Sequence, residues 1–134
     1  MGADPEGVTA DGPSGIRLRS STVQTLAMGI HELATNASKY GALMQPLGRL
    51  DIRWSFEPVG ADGKPWLRID WREMGLTMPP IDAPPRGTGQ GRELIEKALP
   101  YQLGGVTSYA FEPDGVHCTI SVPVSTKKAD REDV

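Results

Sequence analysis

The chain has 134 residues, a formal net charge of −3 and a single cysteine, with a pI near 5.3. This length suits one domain, burying roughly two thirds of the surface its unfolded form exposes and needing no disulfide staples. The acidic balance argues against holding a nucleic-acid backbone, and no apolar run is long enough to span a bilayer. The lone Cys118 fits a reducing compartment and the first residues lack a basic, apolar signal, so the sequence reads as cytoplasmic, with no membrane or nucleic-acid partner.

Residues 1–15, MGADPEGVTADGPSG, read as a flexible leading segment, 16–124 as the folded domain, and 125–134 as a charged tail. No internal repeat suggests a solenoid. The stretch SSTVQTLAMGIHELATNASKYG predicts a long helix near residues 22–40. Ser21 stands three residues before Gln24 as a capping box, and Gly41 suits a left-handed helix end. At about 100° per residue, Val23, Leu26, Ile30, Leu33, Ala34 and Ala37 gather on one side; Glu32, Asn36 and Lys39 fall within roughly 60° of one another opposite them.

RLDIRWSFEP and WLRIDWRE both alternate, and the Asp-Gly pair of the VGADGK connection makes them a hairpin with one buried face. Continuing the period of two from Trp71 puts Glu73 on the core side, where a carboxylate without a polar partner would cost several kcal/mol. A long, proline-rich stretch, MGLTMPPIDAPPRGTGQG, then reads as a lid, a binding loop or a disordered segment. RELIEKALP predicts a short helix stopped by Pro100, and VTSYAF with VHCTISVPV a second hairpin in which His117 points outward as an ordinary solvated histidine. This order predicts an α+β, two-layer sandwich: helices over one face of a mainly antiparallel sheet.

Two stretches carry candidate chemistry. In RGTGQGRELIE, Gly87, Gly89 and Gly91 allow backbone amides close to a ligand just before a helix N-terminus, an arrangement suited to phosphate; a flexible loop using glycine for turns is the plainer reading. On the long helix, Glu32 and Asn36 lie one turn apart with Lys39 beside them. An amide oxygen can join phosphate oxygens and water around Mg²⁺, a carboxylate can order a nucleophile, and a lysine can offset phosphate charge. The plainer reading here is a solvated helix face.

HELATNASKYGAL resembles the N box of the HWE-type sensor histidine kinases. WREMG resembles the first glycine box that gives that family its W and E, and RGTGQGRELIEKALPYQLGG its second glycine box and following helix. The resemblance runs from about residue 16 to residue 124 and implies the Bergerat ATP-binding fold, with a mixed sheet, shared by histidine kinases and gyrase. It implies ATP and Mg²⁺ as cofactors, with Asn36 as the metal ligand, Glu32 near the phosphates, Lys39 a phosphate neighbour and Tyr40 packed on the nucleotide. Glu73 would receive the adenine amino group, Gly75 would let backbone approach the base, and Gly87, Thr88, Gly89 and Gly91 would belong to the lid. His31 is named by the N box, but no physical argument gives it a role.

Two positions depart from the family pattern: Leu76 replaces a glycine and Thr88 an aromatic residue. The resemblance also implies a dimerisation domain carrying the phosphoacceptor histidine, a response regulator, and a homodimer for the full-length protein. The chain by itself is expected to bind nucleotide with little or no autophosphorylation. The alternatives are a non-catalytic nucleotide-sensing or protein-interaction module of the same fold, and a free-standing gyrase-type ATPase that uses Glu32 as base.

Overall fold

The computed structural model describes residues 7–78 and 93–124. Among these, β1 (Val8–Asp11) leads to α1 (Ser20–Lys39), then β2 (Arg49–Glu57), β3 (Trp66–Met74), α2, β4 (Val106–Glu112) and β5 (Gly115–Pro123). α2 opens as a wide π-helical turn over Leu94–Ala98 and continues as α-helix over Leu99–Leu103. The strands form one mixed sheet in the order β1-β2-β3-β5-β4. Only the β1–β2 pair is parallel. The α+β architecture is the expected one.

The alternating pattern drives the sheet. In β5, flanked on both sides, Val116, Cys118, Ile120 and Val122 are buried. Cys118, Ile120 and Val122 face the same core as Leu67 and Trp71 of β3, Leu26, Leu33 and Ala37 of α1, and Ile95 and Leu99 of α2. The β2–β3 hairpin runs in register from Arg49 opposite Met74 to Glu57 opposite Trp66. Its connection is held by Asp62, whose Oδ1 accepts from the Lys64 backbone N–H at 3.0 Å and from Trp66 Nε1 at 2.8 Å. The Trp66 bond, followed by the Lys64 bond, holds the Asp62 carboxyl below its ordinary value.

The helix boundaries and the leading segment differ from the sequence reading. Helix α1 starts at Ser20 with Arg19 as N-cap and no side-chain cap bond, so Ser21 lies inside the first turn. Consecutive Ser20, Ser21 and Thr22 offer equivalent caps, and the pattern does not choose among them. Val23 is 48% exposed, because the buried stripe runs through Leu26, Gly29, Leu33 and Ala37. Gly41 is not among the glycines with positive φ; the helix ends at Tyr40 (φ −131°).

Pro100 does not stop α2. The Leu99 N–H bonds back to the Leu94 carbonyl, so the turn before the proline is already widened. Pro100 then occupies the first turn of the following α-segment, where a missing N–H costs little. The chain leaves through Gly104 in the left-handed region, φ 67°.

The segment 1–15 reads as flexible from its composition, yet Val8–Asp11 forms β1 along β2, and Trp54 Nε1 donates to the Pro13 carbonyl at 2.8 Å. Four residues of mixed polarity at a sheet edge are too short to show a period, and their partner lies about forty residues downstream.

Burial, followed by the Asp70, Glu96 and Glu73 carboxylates, pushes the Cys118 thiol up from 9.0 to about 12. The folded protein thus holds this proton more tightly than the unfolded chain. The stabilisation is complete below about pH 9 and is lost as the pH rises toward 12. A thiol reagent at neutral pH should leave the native protein unlabelled and react promptly in guanidinium; prompt labelling of the native protein would contradict the burial.

Candidate functional site

Helix α1 presents the candidate polar side chains. Glu32 and Asn36 are half-buried, and Lys39 is exposed. At about 100° per residue they flank the buried stripe on one side rather than opposing it, and His31, exposed, turns well away from Asn36. The side chains of Glu32, Asn36 and Lys39 make no hydrogen bond or ion pair among the described residues. Tyr40, half-buried, closes the helix, its carbonyl accepting from Gln45 Nε2 at 3.1 Å. Gly87, Thr88, Gly89 and Gly91 lie outside the described residues.

Glu73 is the buried charged residue of the described chain, at 4% exposure. The sequence reading gives it the nucleotide as its polar partner, but its protein partners are already in place. Oε1 accepts from the Ala42 backbone N–H at 3.0 Å, and Oε2 from Trp71 Nε1 at 2.9 Å. A side chain at residue 41 would overlap Glu73 Oε1, which is why glycine stands there. The carboxylate is thereby clamped between the segment just after α1 and the end of β3. Each oxygen keeps capacity for a further bond.

Gly75 follows with φ 73°. The neighbouring Leu76 N–H donates to the Asp114 carbonyl at 2.8 Å, so the β4–β5 turn holds this segment. Leu76 is buried at 7%, a core residue where the family pattern has glycine. Gln45 completes the frame: its Oε1 accepts from the Thr77 N–H at 2.8 Å while its Nε2 serves the Tyr40 carbonyl. Sequence reasoning missed Gln45, Asp114 and the Trp71 donor. Only the last had a signal, since an indole two residues from Glu73 lies on the same strand face.

The opposite face of the sheet is charged. His117 is not simply solvated: Asp70 Oδ1 lies 2.6 Å from its Nε2, and Arg72 Nη2 3.1 Å from its Nδ1. Arginine can only donate and a carboxylate only accept, so the imidazole bridges a cation and an anion on this face. Two open grooves of about 490 and 350 Å³ also lie on this face, both lined by Ser55 and Arg68, away from the candidate residues.

No group of three or more His, Cys, Asp or Glu side chains able to hold a metal occurs among the described residues. A Mg²⁺ ion fits this site only as one held by the Asn36 amide oxygen with phosphate oxygens and water, the partly hydrated mode that ion favours. The unpartnered, half-buried Asn36 side chain suits that role. No helix among the described residues is long and apolar enough to cross a membrane.

A five-stranded mixed sheet with helices over one face is the architecture of histidine kinase catalytic domains. The solved histidine kinase domain of an Erythrobacter litoralis blue-light activated histidine kinase aligns with a TM-score of 0.64 at 18% identity, covering 96% of this chain and 59% of that one. The catalytic domain of the histidine kinase ThkA aligns with a TM-score of 0.60 at 16% identity, covering 89% and 80%.

No family model matches the chain. In sequence it is 34% identical over 113 residues to a blue-light-activated histidine kinase of Rhizobium johnstonii, covering 84% of this chain and 30% of that protein. It is 36% identical over 119 residues to blue-light-activated histidine kinase 1 of Erythrobacter litoralis, covering 89% and 31%. The chain is thus similar in sequence to histidine kinases and in fold to their catalytic domains, and it spans about a third of the length of these curated relatives.

Proposed function

We propose that this chain is the Mg-ATP-binding catalytic domain of an HWE-type sensor histidine kinase. It would present the γ-phosphate of ATP to a histidine on a separate dimerisation domain, from which a response regulator takes the phosphoryl group. The full-length kinase would be a cytoplasmic homodimer. The observation that carries this reading is the pairing, at one end of the sheet, of a clamped buried carboxylate with the unpartnered polar stripe of α1.

In this reading Glu73 accepts a hydrogen bond from the adenine amino group, and Asn36 holds Mg²⁺ beside the phosphates. Lys39 offsets phosphate charge, Tyr40 packs on the nucleotide, and Glu32 orders the accepting group. Gly87, Thr88, Gly89 and Gly91 contribute a covering loop, and Gly75 lies beside the base. His31, named by the N box, turns away from Asn36 and is given no contact in this reading. Bound Mg²⁺ supplies charge neutralisation; the protein supplies position, which carries most of phosphoryl-transfer catalysis.

Titration of the parent and Asn36→Ala with nucleotide tests this reading. Asn36→Ala should weaken binding of Mg-ATP by about tenfold, the worth of one bond to a charged group, and leave metal-free ADP binding little changed. One observation favours the second reading, a non-catalytic module: Leu76 is a buried core residue where the resembled pattern has glycine. No binding by the parent at millimolar Mg-ATP would decide for that module.

A further inference from the structure

The bond from Trp71 to Glu73 has more than a structural use. Trp71 is 2% exposed, with Ile52 of β2 opposite it on one side and Cys118 of β5 on the other, so its ring has no room to turn. Its Nε1 is a donor only, and an ionised carboxylate an acceptor only. With the Ala42 N–H on the other oxygen, the two donors fix the plane of the Glu73 carboxylate.

We propose that Trp71 is a positioning residue that fixes the Glu73 carboxylate to select purines bearing an exocyclic amine over those bearing a carbonyl at the same position. This rests on the reading of Glu73 as the acceptor for the adenine amino group. A carboxylate held in one plane offers its remaining lone pairs in set directions. An amine aimed along them gains a charge-assisted bond, whereas a carbonyl meets lone pair against lone pair. The Ala42 anchor is backbone and survives any side-chain change, so the Trp71 anchor is the one substitution can remove. Without it the carboxylate turns about a single remaining anchor, and the direction that distinguishes amine from carbonyl is lost.

The test compares Mg-ATP with Mg-ITP, which carries a carbonyl in place of the amine, on the parent, Trp71→Phe and Ile69→Val, each checked for folding by circular dichroism. Trp71→Phe keeps an aromatic ring and removes the donor. Ile69→Val trims the same strand face without touching Glu73's bonds. The parent should prefer ATP. Trp71→Phe should weaken ATP by about tenfold with ITP within about twofold, so that the preference collapses, while Ile69→Val keeps it. A purely structural Trp71 would weaken both nucleotides alike and leave the ratio intact, which overturns the proposal.

A parent with no preference for ATP overturns the adenine reading of Glu73 and this proposal with it; a parental preference retained in Trp71→Phe overturns only the role of Trp71. If Trp71→Phe does not fold, the parent's Trp71 indole N–H resonance decides. It should shift on saturation with ATP and not with ITP, and an unchanged resonance with ATP rejects the proposal.

Discussion

Glu73→Ala is expected to melt about 10 °C or more below the parent and to lose adenosine binding. Two donors, Trp71 Nε1 and the Ala42 N–H, would be left inside the protein without an acceptor. Each buried donor so stranded costs about 1–3 kcal/mol, and in a domain of this size a loss of about 2–4 kcal/mol moves the midpoint by that order. Replacing a whole buried polar group with apolar neighbours can be neutral, but truncating one member of a bonded set is not. Glu73→Gln should recover only part of the loss, because its amide oxygen serves one donor while its NH₂ confronts the other. Calorimetric melting of the three proteins checks this; an alanine variant melting within about a degree of the parent would show that the clamp contributes nothing.

Gly75→Ala should destabilise to a similar degree, for two separable reasons. The backbone there has φ 73°, and the added methyl would overlap the Leu47 carbonyl oxygen. The left-handed conformation alone costs a non-glycine residue roughly 1–2 kcal/mol, and forcing backbone apart adds about as much again or more. Gly63 provides the internal comparison, with φ 80° and nothing within 4 Å of the point where an added methyl would stand. Gly63→Ala should show only the conformational share, and the difference in melting midpoint measures the overlap. Equal losses in the two variants would mean that the 47–48 loop yields freely. If it does not, Gly75→Ala should also weaken adenosine binding, because that loop follows directly from the segment carrying Ala42.

Most of the sheet was legible because its strands are half-buried, and half-burial writes itself into sequence as alternation. Leu67 and Trp71 are buried while Arg68 is exposed. The long helix was legible for the same reason, though its buried stripe runs through Gly29 rather than Val23. A glycine carries no hydrophobic signal even where a neighbouring helix covers it. The π-helical turn before Pro100 was not legible, since it depends on how α2 meets the core and not on any local propensity. At the site, the core-side placement of Glu73 predicted that polar partners must exist, and they do. Which partners could not be read, because one of them, the Ala42 N–H, is backbone brought from 31 residues away.

The parallel pairing of β1 with β2 bears on solubility. Read from sequence, residues 1–15 form a flexible leading segment, and a protein shortened to the folded domain of that reading would begin at residue 16. Such a protein would strip the β1 partner from β2, whose nine residues include Leu50, Ile52, Trp54 and Phe56 on a single face. The freed row of N–H and C=O groups would be an uncapped edge, open to the same pairing from a second molecule. Four short residues, Val8–Asp11, thus act as the selvedge of the sheet, keeping an otherwise sticky margin from joining its neighbours.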